Sequence, residues 1–357
     1  MSLPVETQAV SREEAAPAVV PPARGTATAL RGAGLLAVLA ALVLVSLLGV
    51  WTGTRGLPLS EVWSVLWHPD GSETSIIIHD YRIPRTLLGL LVGAALGLSG
   101  ALMQALTRNP LAEPGLLGIS LGSSAGVVVA LAFLGIGSVL GYVWFAFLGA
   151  ALASAVVYLL GSSGRKVATP DRLVVAGAAV TAVLYAFNSA VLLLNPSAFD
   201  QFRFWTVGSL AGRYLDVVYV ILPFIAAGLF IALLLGPSLN ALALGDQMGR
   251  ALGVNVHRTR ILGAVGVMLL CGAATAAAGP IAFVGLVVPH IARFVVGPDQ
   301  RWVLAYSMLL APVLLIGADI AGRVIGAPGE IQVGIVTAFI GAPVFLALCR
   351  RRKLVML

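Results

Sequence analysis

Charge is scarce in this chain: Asp, Glu, Lys and Arg together supply 10% of its 357 residues. A water-soluble domain of this length needs far more polar surface to cover its core, so that class is excluded. There is no Walker A pattern, no HExxH, no GxSxG and no pair of carboxylates within an apolar run, so the chain carries no P-loop ATPase site and none of the hydrolase sites those motifs mark. His68, His79, His257 and His290 are scattered over several segments, which argues against the polar cluster at one depth that a membrane enzyme requires. Intramembrane acids are also few. Asp319 is the only clear acid near the interior of an apolar segment, four residues before Arg323, an arrangement that reads most simply as a local ion pair or a snorkelling arginine. A proton-coupled secondary transporter is expected to carry more such groups, so the energy source lies elsewhere. The 2 cysteines, Cys271 and Cys349, lie far apart with no CxxC or Cys/His spacing and are read as free thiols, with no disulfide and no metal site.

What is present is hydrocarbon. Apolar residues make up 59% of the chain and the mean hydropathy is +1.00. Runs of about 20 apolar residues recur where barrel strands would show alternation over roughly ten, so the chain is an all-α, polytopic membrane protein.

Residues 1–29 hold Pro4, Pro17, Pro21 and Pro22 among charged residues without an apolar period, and are expected to form a disordered tail rather than a signal peptide. Apolar segments follow near 30–50, 86–106, 115–135, 141–161, 172–194, 217–236, 260–279, 281–297, 302–321 and 331–349, an expected set of about ten transmembrane helices. Gly279-Pro280 separates two of them so narrowly that they could be one bent element, and the second, with Pro289 and His290, is not expected to cross fully. An even number of crossings puts both termini on one side. Of the 22 Lys and Arg residues, only Arg55, Arg82, Arg85, Arg203, Arg213 and Arg323 then fall outside, and the remainder lie inside. That bias makes both termini cytoplasmic and explains the net charge of +7 without invoking nucleic acid. The expected division is a tail (1–29), a transmembrane domain (30–350) and a basic tail (351–357).

Glycine recurs at packing intervals, as in Gly89, Gly93, Gly97 and Gly100, or Gly115, Gly118 and Gly122, where a missing side chain lets helices approach. The long inside loop at 236–260, GPSLNALALGDQMGRALGVNVHRTR, has leucines on either side of Gly245. It predicts two short amphipathic helices with a glycine break, lying on lipid headgroups or in a groove of a cytoplasmic partner. The outside stretch at 195–216, rich in Phe, Trp and Tyr, reads as an interface belt or a short helix at the mouth of a path.

Several motifs then fall into one order: R-x-P-R, GAALGLSGALMQAL and RNPLAEPGLLGISLG within residues 82–122, then LALGDQMGRALGVNVHRTR, AAAGPIAFVGLVVPHIARFVVG and ADIAGRVIGAPGEIQVGIVTAFIGAPVF. Together they resemble the FecCD/BtuC-like permease family, the transmembrane subunits of binding-protein-dependent ABC importers for ferric siderophores, haem or cobalamin. The resemblance spans residues 30–350 and implies the ten-helix type II ABC importer permease fold. It implies a second permease subunit, identical or paralogous, two cytoplasmic ATPase subunits that bind ATP and Mg, an extracytoplasmic substrate-binding protein, and no cofactor on this chain. Location in the bacterial cytoplasmic (inner) membrane follows. A ferric siderophore is the leading cargo, with cobalamin and haem as alternatives.

By position, the resemblance assigns Arg82, Arg85 and Arg323 to docking of the binding protein, and Leu244, Gly245, Asp246, Arg250, Ala251, Leu252 and Gly253 to the ATPase contact of a coupling loop at 237–258. The fifth helix and the short helix after it, residues 172–216, would line the path. The inner gate falls at Thr169, Pro170 and Asp171, where Pro170 and Asp171 depart from the small hydroxyl residues of the family's pattern. The chain departs again at Gln332, where relatives carry proline.

Overall fold

The computed structural model describes residues 24–162 and 170–350; the expectations for residues 1–23, Thr169 and the tail at 351–357 lie outside the described residues. In chain order the helices are α1 (Arg24–Trp51), α2 (Leu59–Trp67), α3 (Glu73–Ile76), a π-helical turn (Ile77–Arg82), α4 (Ile83–Thr107), a 3-10 turn (Pro114–Leu117), α5 (Ile119–Phe133), α6 (Val139–Ser162), α7 (Pro170–Leu194), α8 (Pro196–Thr206), α9 (Leu215–Leu234), α10 (Gly236–Ala243), α11 (Asp246–Ala251), α12 (Val256–Ala278), α13 (Val284–Val296), α14 (Gln300–Ile325) and α15 (Val333–Arg350).

Each expected apolar segment becomes a helix, but the helices are of two kinds. α1, α4 with the turns before it, α6, α7, α9, α12 and α14 are long and apolar enough to cross a membrane, whereas α5, α13 and α15 are shorter. At about 1.5 Å per residue α13 reaches about 20 Å, against a hydrocarbon core of about 30 Å. α12 and α13 are separate helices rather than one bent element: Gly279 ends the first, and Phe283, at φ 68°, sets the start of the second.

The span containing α4 is 78% buried and that of α1 only 6%, so α4 is the axis of the bundle and α1 lies on its outside. Without a hydrophobic drive between helices in lipid, close packing carries the association. Small residues on α4 supply it. A Cβ on Gly93 would stand 2.5 Å from the Cα of Pro312, and one on Gly97 2.5 Å from the carbonyl oxygen of Ser307, so α14 meets α4 backbone to backbone. Gly100 serves α13 in the same way, since a Cβ there would overlap the carbonyl oxygen of Gly285. Gly122 faces Gly149 on α6. Gly115 has open space around it, and Gly118 is needed for its left-handed φ of 70° at the turn into α5, so neither is the helix–helix contact expected of it.

Proline and glutamine cooperate at the α4–α13 contact. Pro289 has no N–H to offer the carbonyl of Gly285 one turn back. The side-chain amide of Gln104 donates to that oxygen at 3.4 Å and to Leu286 O at 3.2 Å, while its own oxygen accepts from the buried Arg293.

Candidate functional site

Arg82, Arg85 and Arg323 come together where α1 ends, α4 begins and α14 ends, here called the upper end. The last carbonyls of α1 have no donor within the helix and carry the negative end of its dipole. Arg82 donates to Val50 O at 3.3 Å and to Trp51 O, and Arg323 donates to Gly49 O at 2.9 Å and Thr52 O at 2.6 Å. Arg85 straddles Asp319 with Nε and Nη2 and gives Nη1 to Glu330 at 2.8 Å. Arg323 pairs with Asp319 at 3.1 Å, so the expected local pair forms inside a larger network.

The outward-facing role expected of these arginines meets this geometry directly. Arg82 is 5% exposed and Arg323 2%; Arg82 donates to α1 carbonyls and to Arg55 O, and Arg323 gives its terminal nitrogens to Gly49 O, Thr52 O and Asp319, leaving its buried Nε without a partner. A carboxylate from another protein would have to displace those acceptors. Arg85 differs, because one of its two partners, Glu330, has a side chain 30% exposed. All three arginines line a cleft of about 310 Å³, together with Arg55 and Tyr81.

The opposite, lower end carries the predicted helix pair. α10 and α11 flank Gly245, whose φ of 101° makes the break possible. Leu239 and Leu242 point into the core, and the apolar side chains left outside are Leu244 (66% exposed), Met248 (53%) and Leu252 (59%). Arg250, Ala251 and Gly253 are exposed beside them. Asp246 is turned inward: it pairs with Arg260 of α12 at 3.0 Å and with Arg108 at the end of α4 at 3.4 Å. Among the residues expected at the ATPase contact it is therefore the anchor of the helix pair. Asp171 is exposed in the first turn of α7, with Pro170 opening that helix.

A second upper cleft, of about 430 Å³, lies beside α8. The segment after α8 is tied to its surroundings by backbone bonds, Ser209 N–H to Ala278 O at 2.7 Å and Gly334 N–H to Gly208 O at 3.1 Å. It thereby joins α8, the α12–α13 break and the start of α15. Sequence reasoning placed a short helix here but missed the walls, Tyr142 on α6 and Gln332 before α15, because they come from distant segments. It missed the Asp246 partners for the same reason, although the inside arginines near both turns were a usable signal.

The model of the FecCD transport family matches residues 39–351. This chain belongs to that family. It is 46% identical over 329 residues to the ferric enterobactin transport system permease protein of Escherichia coli (strain K12), covering 92% of this chain and 98% of that one. It is 42% identical to the Fe(3+)-citrate import system permease protein of Bacillus subtilis (strain 168), covering 86% and 91%. In fold, the FecCD chain is similar to a metal-chelate type ABC transporter solved in an inward-facing conformation, with a TM-score of 0.77 and 27% identity over 88% of this chain and 98% of that one. It is thus an all-helical, multi-pass membrane permease of the ABC class.

Proposed function

We propose that this chain is the permease subunit of an ATP-driven importer that carries a ferric siderophore across the bacterial cytoplasmic membrane by alternating access. The observation that carries the reading is the 46% identity, over nearly the full length of both chains, to a permease of ferric enterobactin transport.

The geometry supplies the parts. The ridge of Leu244, Met248 and Leu252 is an apolar surface on a short helix pair, which suits insertion into a groove of a cytoplasmic ATPase. Gly245 and Gly253 set the turns, Arg250 and Ala251 border the ridge, and Asp246 transmits its movement to α4 and α12 through Arg108 and Arg260. ATP and Mg act on two such ATPase subunits, and a second permease subunit completes the path. An extracytoplasmic binding protein docks on the upper end. There Arg85 is the arginine that meets it, exchanging Glu330 for an incoming carboxylate, while Arg82 and Arg323 hold the platform. The inner gate is assigned to Thr169, Pro170 and Asp171, of which Pro170 and Asp171 open α7.

The test is uptake of radioiron-labelled ferric siderophores by a deletion strain carrying the chain with its ATPase and binding protein. Uptake that depends on ATP hydrolysis and is lost in Leu244→Asp/Leu252→Asp, together with co-purification of the ATPase, supports the reading. Uptake driven by an ion gradient without the ATPase overturns it.

A further inference from the structure

Gln332 lines the 430 Å³ upper cleft together with residues of α5, α6, α8 and the segment after α8. Its lining includes the aromatic Phe204 and Trp205 of α8 with Gln201 on the same helix, and the polar side chains of Tyr142, Arg213 and Gln332. Arg213 is fixed by its Nε, which donates to Ala277 O at 2.8 Å at the end of α12, and its guanidinium lies beside the Tyr142 hydroxyl. Among the described residues, no carboxylate lies within ion-pair distance of it, in contrast to Arg85, Arg203 and Arg323. The indole N–H of Trp205, a side chain 3% exposed, has no acceptor.

A half-buried cation without a counter-ion and a buried indole donor without a partner both lack acceptor atoms, and the amides of Gln201 and Gln332 add further donors beside their own acceptor oxygens. The aromatic side chains add a preference for a flat ring. We propose that this cleft is an entry subsite for an anionic ferric chelate whose iron is held by aromatic oxygens, that is, a ferric catecholate. A ring edge enters between Phe204 and the amides, and its metal-bound oxygens face Arg213 and Gln332. Gln332 makes the site selective: its amide adds a hydrogen bond that a proline cannot supply. The inference rests on the importer reading above and adds to it a place and a ligand chemistry.

The test is equilibrium binding of radioiron-labelled ferric tris-catecholate to the purified full chain in nanodiscs, with a neutral ferric trihydroxamate as the comparison. The wild type is expected to bind the catecholate saturably and in preference to the hydroxamate. Arg213→Gln should weaken catecholate binding about tenfold or more, the size of a lost hydrogen bond to a charged group. Gln332→Pro keeps the carbonyl that accepts from Ile335 and Val336 at the start of α15. It should therefore leave the fold intact and reduce the preference for the catecholate. Arg301→Gln, an equal loss of charge at the lower end, should bind as the wild type does. No saturable catecholate binding, equal affinity for the neutral chelate, or an Arg213→Gln variant that binds normally overturns the subsite. Iron uptake measured alongside separates the two readings. Uptake that persists while cleft binding fails overturns the subsite alone, whereas absence of uptake of every ferric chelate overturns the importer reading beneath it.

Discussion

Arg85 holds Asp319 across 234 positions of sequence, with Nε at 3.0 Å from one carboxylate oxygen and Nη2 at 2.8 Å from the other. Arg323 takes the same carboxylate from one turn further along α14. One buried acid therefore compensates two buried cations.

Removing that acid should be costly. Asp319→Asn leaves two guanidinium groups buried with too little negative charge and is expected to destabilise the chain by about 3–5 kcal/mol. Glu330→Gln, at the more exposed end of the network, should cost about 1 kcal/mol or less. Thermal unfolding of the purified variants in detergent checks the contrast, and equal effects would show that the burial of Asp319 does not matter.

The contact of α4 with α13 leaves no room for a methyl group. Gly100→Ala should force the two backbones apart and cost about 1–3 kcal/mol, seen as a lower unfolding temperature. Gly32→Ala, with nothing within 4 Å of the added carbon, should be neutral or slightly stabilising.

Asp246 and Leu244 should fail in different ways. Asp246→Ala frees α11 from Arg108 and Arg260 but leaves the apolar ridge in place, so the ATPase should still co-purify while uptake falls several-fold. Leu244→Asp should lose the ATPase itself. Pull-down and transport assays on the same membranes separate these outcomes.

Cys271 is a built-in reporter of unfolding. Its thiol is buried on α12. In a Cys349→Ser background it should resist a maleimide in the folded chain and react as the protein melts. Rapid labelling at low temperature would show that α12 is accessible.

Regular structure was legible because hydropathy writes it plainly: ten apolar runs became ten helices, and the leucines around Gly245 announced α10 and α11. α2 was not, since nine residues with Trp63 and Trp67 exposed and Val62 and Val65 buried are too short to show a clear period. The arginines were found by position, but their burial was not foreseeable. Asp319 and Glu330 lie far along the chain from Arg85, and the acceptors that surround Arg82 and Arg323 are mainly backbone carbonyls, which have no letter in the sequence. The upper cleft was hidden for the same reason, its polar lining being assembled from α6, α8, the segment after α8 and the residue before α15.

The caps on α1 also set an order for assembly. Gly49 leaves the ribosome 274 positions before Arg323, the residue that satisfies its carbonyl. At roughly 5–20 residues per second that interval is on the order of 14–55 seconds. Arg82 follows Val50 and Trp51 closely and can meet their carbonyls early, but throughout the interval Gly49 O stands without its donor. That end is fully locked only when α14 arrives, so a chain truncated before α14 would be expected to remain open to membrane quality control there.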